Sequence, residues 1–94
     1  MYIIDGVAYA GEPKPVLRVI SVRPLDNHIL NVSFNTGETK LFDFKPLLSM
    51  PAFKPLFNTK LFNEVYVDFG CPVWDEGNID IAPEYLYQHG VPVQ

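Results

Sequence analysis

The chain has 94 residues, close to one ordinary domain, and is 48% hydrophobic, 14% aromatic and 19% charged, a balance that excludes global disorder. Eleven acidic against seven basic side chains give a net charge of −4. That is the wrong sign for neutralising phosphates, so unaided nucleic-acid binding is not expected.

The longest apolar stretches, Tyr2 to Ile4 and Val16 to Val22, the latter interrupted by Arg18, fall far short of the ~20 residues of a membrane helix. Met1 to Asp5 carries no basic region and no long apolar region of the signal-peptide kind. With a lone cysteine, Cys71, no intrachain disulfide can form, and a cytoplasmic setting is the expectation. Cys71 lies between Gly70 and Pro72 with no neighbouring base, which reads as a bland thiol rather than a nucleophile.

In chain order, Tyr2-Ile3-Ile4 and Val7-Ala8-Tyr9-Ala10 flank Asp5-Gly6, a dipeptide that tolerates positive φ and predicts a hairpin. Gly11-Glu12-Pro13-Lys14-Pro15 interrupts regular pairing and reads as a connector. The β-branched run Val16 to Arg23 predicts a strand, Pro24 to Asn27 a turn, and His28 to Phe34 a second strand with Leu30, Val32 and Phe34 on one face. Asn35-Thr36-Gly37 turns the chain into a third strand, Thr39 to Phe44. A three-stranded antiparallel meander is expected.

Prolines then bracket short apolar units. Pro46 can open one helical turn, and Asn58 or Thr59 can cap a short helix running to Asn63 that turns Leu61 and Phe62 inward. Val65 to Phe69 predicts a strand, and Val73-Trp74 with Ile79 to Ile81 a hairpin around Asp75-Glu76-Gly77-Asn78. Pro83 can start a final helical turn carrying Leu86, Gly90 can stop it, and Val91 to Gln94 reads as a tail. The expectation is one α+β domain over residues 1–94, with hairpin and connector at 1–15, a core at 16–87 and a tail at 88–94.

Val32-x-Phe34-Asn35-x-Gly37, Phe42-Asp43-Phe44-x-Pro46-Leu47-Leu48, Phe53-x-Pro55-Leu56 and Trp74-x-x-Gly77-x-x-Asp80-Ile81-x-Pro83-Glu84 follow one another in order. Together they resemble the bacterial domain-of-unknown-function family 2442 over about residues 16–87. Asp5-Gly6-x-Ala8-Tyr9-Ala10-Gly11-Glu12 is similar to an N-terminal extension in one branch of that family. The resemblance implies a small α+β fold, sometimes fused to a helix-turn-helix domain and often encoded beside a small toxin-like protein. An antitoxin-like or regulatory adaptor role is the implied expectation. These residues include no basic recognition helix, so contact with a protein partner is expected rather than contact with an operator.

Acidic residues gather late in the chain, at Asp68, Asp75, Glu76, Asp80 and Glu84. Paired carboxylates can act as acid and base or hold a divalent cation. The plainer account has Asp75 and Glu76 solvating a turn, Asp80 bonding backbone amides near the last helix, and Glu84 at that helix's positive end. His28 and His89 lie beside no nucleophile motif, and no phosphate-cradling glycine loop occurs. No cofactor, metal or catalytic residue is assigned.

Tyr66, Trp74, Tyr85 and Tyr87 can form either an interface platform or edge packing, whereas Phe34, Phe42, Phe44, Phe53 and Phe62 suit the core. No Lys or Arg follows Lys60, so this segment favours a protein partner, a self-association surface or a cationic ligand over nucleic acid. The expected function is a protein-binding module docking a small, basic, toxin-like protein through Trp74, Asp75, Glu76, Asp80, Glu84, Tyr85 and Tyr87. Two alternatives stand beside it. One is a metal-assisted or acid-base enzyme using Asp75, Asp80 and Glu84, and the other a homodimer made by pairing exposed strand edges.

Overall fold

A computed structural model describes residues 16–93 together with two strands near the start, β1 (Ile3–Ile4) and β2 (Val7–Ala8), which pair antiparallel as the hairpin reading expects. The Asp5-Gly6 turn and the Gly11 to Pro15 connector lie outside the described residues. No helix among those described is long and apolar enough to cross a membrane.

The architecture is mixed α+β. One antiparallel sheet contains β3 (Val19–Leu25), β4 (Ile29–Phe34), β5 (Thr39–Asp43) and β9 (Val91–Pro92) in that order, and a second contains β6 (Tyr66–Asp68), β7 (Cys71–Trp74) and β8 (Ile79–Asp80). The expected meander is present, with alternation doing the sorting: Leu30, Val32 and Phe34 on β4 are completely buried. The first strand runs further than Arg23 because Pro24 can occupy an edge strand, so the turn shrinks to Asp26–His28. Asn27 and His28 there adopt φ of 65° and 58°. His28 is half-buried: its Nε2–H donates to the Leu56 carbonyl at 2.9 Å and its ring lies 4.7 Å from that of Phe62.

Between the sheets, proline-led single turns at Lys45–Leu47 and Lys54–Phe57 insert Leu47 and Leu56 into the core. The short helix α1 (Thr59–Phe62) is capped by Asn58, whose side chain accepts from the Lys60 and Leu61 amides. Phe69 and Gly70, both with positive φ, make a two-residue turn that joins β6 to β7. The hairpin of β7 and β8 turns at Asp75 to Asn78 as the sequence indicates. Phe44 sits at the centre of the core, with the rings of Phe53, Phe62 and Trp74 at 5.2, 5.7 and 5.4 Å. Each such side chain contributes about 1.5–3 kcal/mol by leaving water.

The C-terminus corrects one expectation. Helix α2 (Pro83–His89) runs two turns instead of one, and Val91–Pro92 are no tail but β9, the fourth strand of the sheet. β9 pairs Val91 with Leu41 and Pro92 with Lys40, and the Val93 N–H donates to the Thr39 carbonyl at 2.9 Å.

Both outer edges of this sheet carry a proline. The Phe34 and Phe44 amides bond across the β4–β5 seam, to Glu38 and His28, so even-numbered residues of β4 face β5 and odd-numbered ones face β3. Pro24, opposite Leu30, therefore turns its backbone outward. Pro92 does the same, because the bond to β5 comes from the neighbouring Val93. Each edge lacks a donor at that point, a feature that discourages pairing with another strand.

Candidate functional site

Helix α2 starts at Pro83 without a side-chain cap, so Asp80 does not bond its amides as expected, while Glu84 does sit in its first turn. Leu86 points into the core and the flanking tyrosines diverge, because positions two apart on a helix face different ways. Tyr87 packs edge-on to Phe34 at 5.2 Å, and Tyr85 packs against Phe42 at 5.8 Å with the His89 ring tilted against it at 4.4 Å.

Tyr87 is a fastener. Its hydroxyl donates to the Glu38 carboxylate, its ring lies 3.7 Å below the Lys40 Nζ, and its carbonyl accepts from that Nζ at 2.6 Å. Lys40 is only 9% exposed, and its charge meets the carbonyl end of α2. Hydrogen bonds from Tyr87 and Thr36, with the Lys40 charge, hold the Glu38 carboxyl below its usual range against the opposing effect of desolvation. The bond to Glu38, then burial and the Glu38 charge, push the Tyr87 hydroxyl up.

A lowered carboxyl pKa stabilises the fold above the unfolded value of about 4.5 and loses that contribution as pH falls through the folded value. A raised phenol pKa stabilises below about 10.0 and is lost as pH rises through the folded value. Tyr87→Phe is therefore expected to flatten both limbs of stability against pH, read from urea melts across the pH range. Limbs as steep as in the parent would show that the hydroxyl does not couple the two groups.

Tyr85, 40% exposed, forms a wall shared by two adjoining apolar clefts. The larger, about 550 Å³, lies between β5, α2 and β9 and is lined by Ile29, Leu41, Phe42, Pro46, Leu47 and Val91, with Asp43 and His89 as its polar members. The smaller, about 290 Å³, lies over Leu47, Met50, Phe53, Ile81 and Ala82, with Asp80 at its rim. Asp43 is ion-paired with Lys45 at 2.9 Å. Burial opposes ionisation of that carboxyl, but hydrogen bonds from the Lys45 ammonium and amide, with the Lys45 charge, keep it below its usual range. Both partners are half exposed, so the pair contributes about 0–1 kcal/mol.

The residues singled out from sequence separate. Trp74 is 0% exposed, its indole N–H donating to the Phe62 carbonyl at 2.9 Å. It belongs to the core rather than to a surface, since large apolar area with one satisfied donor suits burial. Asp75 and Glu76 are exposed in the β7–β8 turn, at φ of 52° and 55°. Asp80 and Tyr85 reach the clefts, whereas Tyr87 is occupied with Glu38 and Lys40. Burial, then the charges of Asp80, Glu84 and Asp68, raise the Cys71 thiol pKa, which keeps it protonated and a poor nucleophile. Among the described residues no group of three or more His, Cys, Asp or Glu side chains is placed to hold a metal ion.

The floor of the larger cleft escaped the sequence reading. Leu41 is the half-buried partner in an alternating strand, and Val91 belongs to a segment read as tail. The only hint was apolar Leu47 and Leu48 following a proline, too short to distinguish floor from core.

No curated protein and no solved structure matches the chain. The sequence model of the family described as "Protein of unknown function (DUF2442)" matches residues 19–92, the span from β3 through β9, which leaves the first hairpin outside, and the chain belongs to that family.

Proposed function

We propose that the protein is a binding module that docks a small basic protein through the groove formed by the two clefts on either side of Tyr85. The observation that supports this reading is the pairing of an open apolar groove with an acidic segment. The groove is lined by apolar side chains, Asp80 stands at its rim, and no Lys or Arg follows Lys60 while six acidic residues do. Apolar side chains of a partner would supply affinity by burial, and its basic residues would supply orientation and association rate. An antitoxin-like neutralisation or a regulatory adaptor role, in the cytoplasm, is the biological form of this proposal.

Asp75, Glu76 and Glu84 are exposed around this segment and add to its field, whereas Trp74 and Tyr87 act by holding the scaffold. Prolines on both outer edges of the four-stranded sheet count against a homodimer made by strand pairing. The carboxylates of the enzyme alternative lie on three elements, Asp75 in the β7–β8 turn, Asp80 at the end of β8 and Glu84 in the first turn of α2, with no cation-holding group among the described residues.

The test is capture of the tagged protein from its host at moderate salt, followed by the intact mass of the complex. A stoichiometric small basic protein is expected, released at high salt and weakened about tenfold by Val91→Arg. Val91 is 65% exposed, so this change alters the groove with little cost to the core. Recovery of the free chain alone, or a partner held equally well by Val91→Arg, would overturn the proposal.

A further inference from the structure

The groove also restricts the form of whatever enters it. An extended segment would bring its N–H and C=O groups into a space walled by apolar side chains, where each unpaired group costs about 1–3 kcal/mol. A strand can avoid that cost by pairing with a sheet edge, but the edge beside the larger cleft is already taken. β9 covers β5 as far as Leu41, and its own outer face presents Pro92. Past Leu41 the aligned position opposite Asp43 is the end of α2, and the Gly90 N–H turns back to the Leu86 carbonyl at 2.9 Å. A helix satisfies its own backbone and needs only side-chain pockets.

The clefts are arranged as such pockets. They adjoin, sharing Leu47 and Tyr85 as walls. Residues four apart on a helix stand about 5–6 Å apart on one face, so two apolar side chains one turn apart can enter on either side of the tyrosine ring. We propose that the groove divided by Tyr85 seats one amphipathic basic helix of the partner, with two apolar side chains one turn apart in its two clefts and a basic residue beside Asp80. This rests on the docking reading above and specifies the shape of its ligand.

The probe is an acetylated, amidated, alanine-based peptide of about 15 residues, long enough for partial helix in water, with two leucines four residues apart and lysines flanking them. One control carries a central proline that breaks the helix, and the other has the leucines two residues apart and so on different faces. Titration into the isotope-labelled full chain is followed by amide shifts, and peptide helicity by circular dichroism. The intact helix is expected to shift the Met50, Tyr85 and Val91 signals, to gain helicity on binding, and to bind roughly tenfold more tightly than either control. Val91→Arg and Met50→Arg, at residues 65% and 46% exposed, should each lose about tenfold in affinity while keeping the parent melting temperature.

Equal or tighter binding by the proline or mis-spaced peptide would overturn the helical mode, as would no binding at millimolar peptide. The two readings fail separately. A host partner released by Val91→Arg, combined with no preference for the helical peptide, leaves docking standing and removes the helix. A helical peptide that binds the groove beside a host partner insensitive to Val91→Arg does the reverse.

Discussion

Trp74→Ala is expected to destabilise the fold by about 3–5 kcal/mol, the range for removing a large buried aromatic and leaving part of its volume empty. The indole is wholly enclosed, stacked on Phe62 at 6.1 Å and edge-on to Phe44 at 5.4 Å, and its N–H meets the Phe62 carbonyl at 2.9 Å. Small domains hold about 5–15 kcal/mol in total, so this one change consumes a large part of the margin. Trp74→Phe retains most of the volume but leaves that carbonyl without its donor, and should cost less, about 1–3 kcal/mol. Urea melts of the two variants provide the check. A Trp74→Ala protein as stable as its parent would show that the ring is not a core member. Any loss of partner binding in this variant reports unfolding, so Val91 and Met50 are the sounder positions for questions about docking.

The fate of Trp74 shows where sequence reading stops. Alternation at Leu30, Val32 and Phe34 selects a buried face from a local pattern, and Asn58 signals its own cap because the amides it serves are two and three residues away. The direction of Trp74 depends instead on whether a carbonyl waits for its indole, and that carbonyl comes from α1, twelve residues earlier. Tryptophan suits core and interface equally well, so composition left the choice open and a non-local contact decided it.

The same logic separates Tyr85 from Tyr87. Both lie on α2, but a helix turns them to different flanks, and only one flank meets Glu38 and Lys40. β9 was invisible because two residues containing a proline carry no strand signal, and its pairing with Lys40 and Leu41 spans half the chain. The acidic character of the last third, by contrast, could be read directly from the absence of Lys and Arg after Lys60. What could not be read was the apolar groove beside that acidic segment.

Gly90 carries the second large effect. Glycine at a helix stop usually signals positive φ, but Gly90 has φ of −76° and ψ of 157°, an ordinary extended conformation. Its requirement is space: a Cβ there would stand 2.7 Å from the Leu86 carbonyl oxygen and 3.0 Å from the Lys40 Cβ. Glycine to alanine at a compatible site gains about 0.4–1 kcal/mol by restricting the unfolded chain. Here the overlap is with backbone on one side and the root of a buried side chain on the other, so neither neighbour yields cheaply, and overpacking of this kind costs about 1–3 kcal/mol. Gly90→Ala is therefore expected to destabilise by about 1–2 kcal/mol. The damage should concentrate where α2 passes into β9, with faster hydrogen exchange at the Val93 amide that bonds Thr39. Because Val91 walls the larger cleft, the same variant should bind the helical peptide more weakly even when fully folded. A Gly90→Ala protein matching or exceeding the parent in urea, with Val93 protection intact, would show that the junction has room and that the close approach of α2 to β5 does not set the groove.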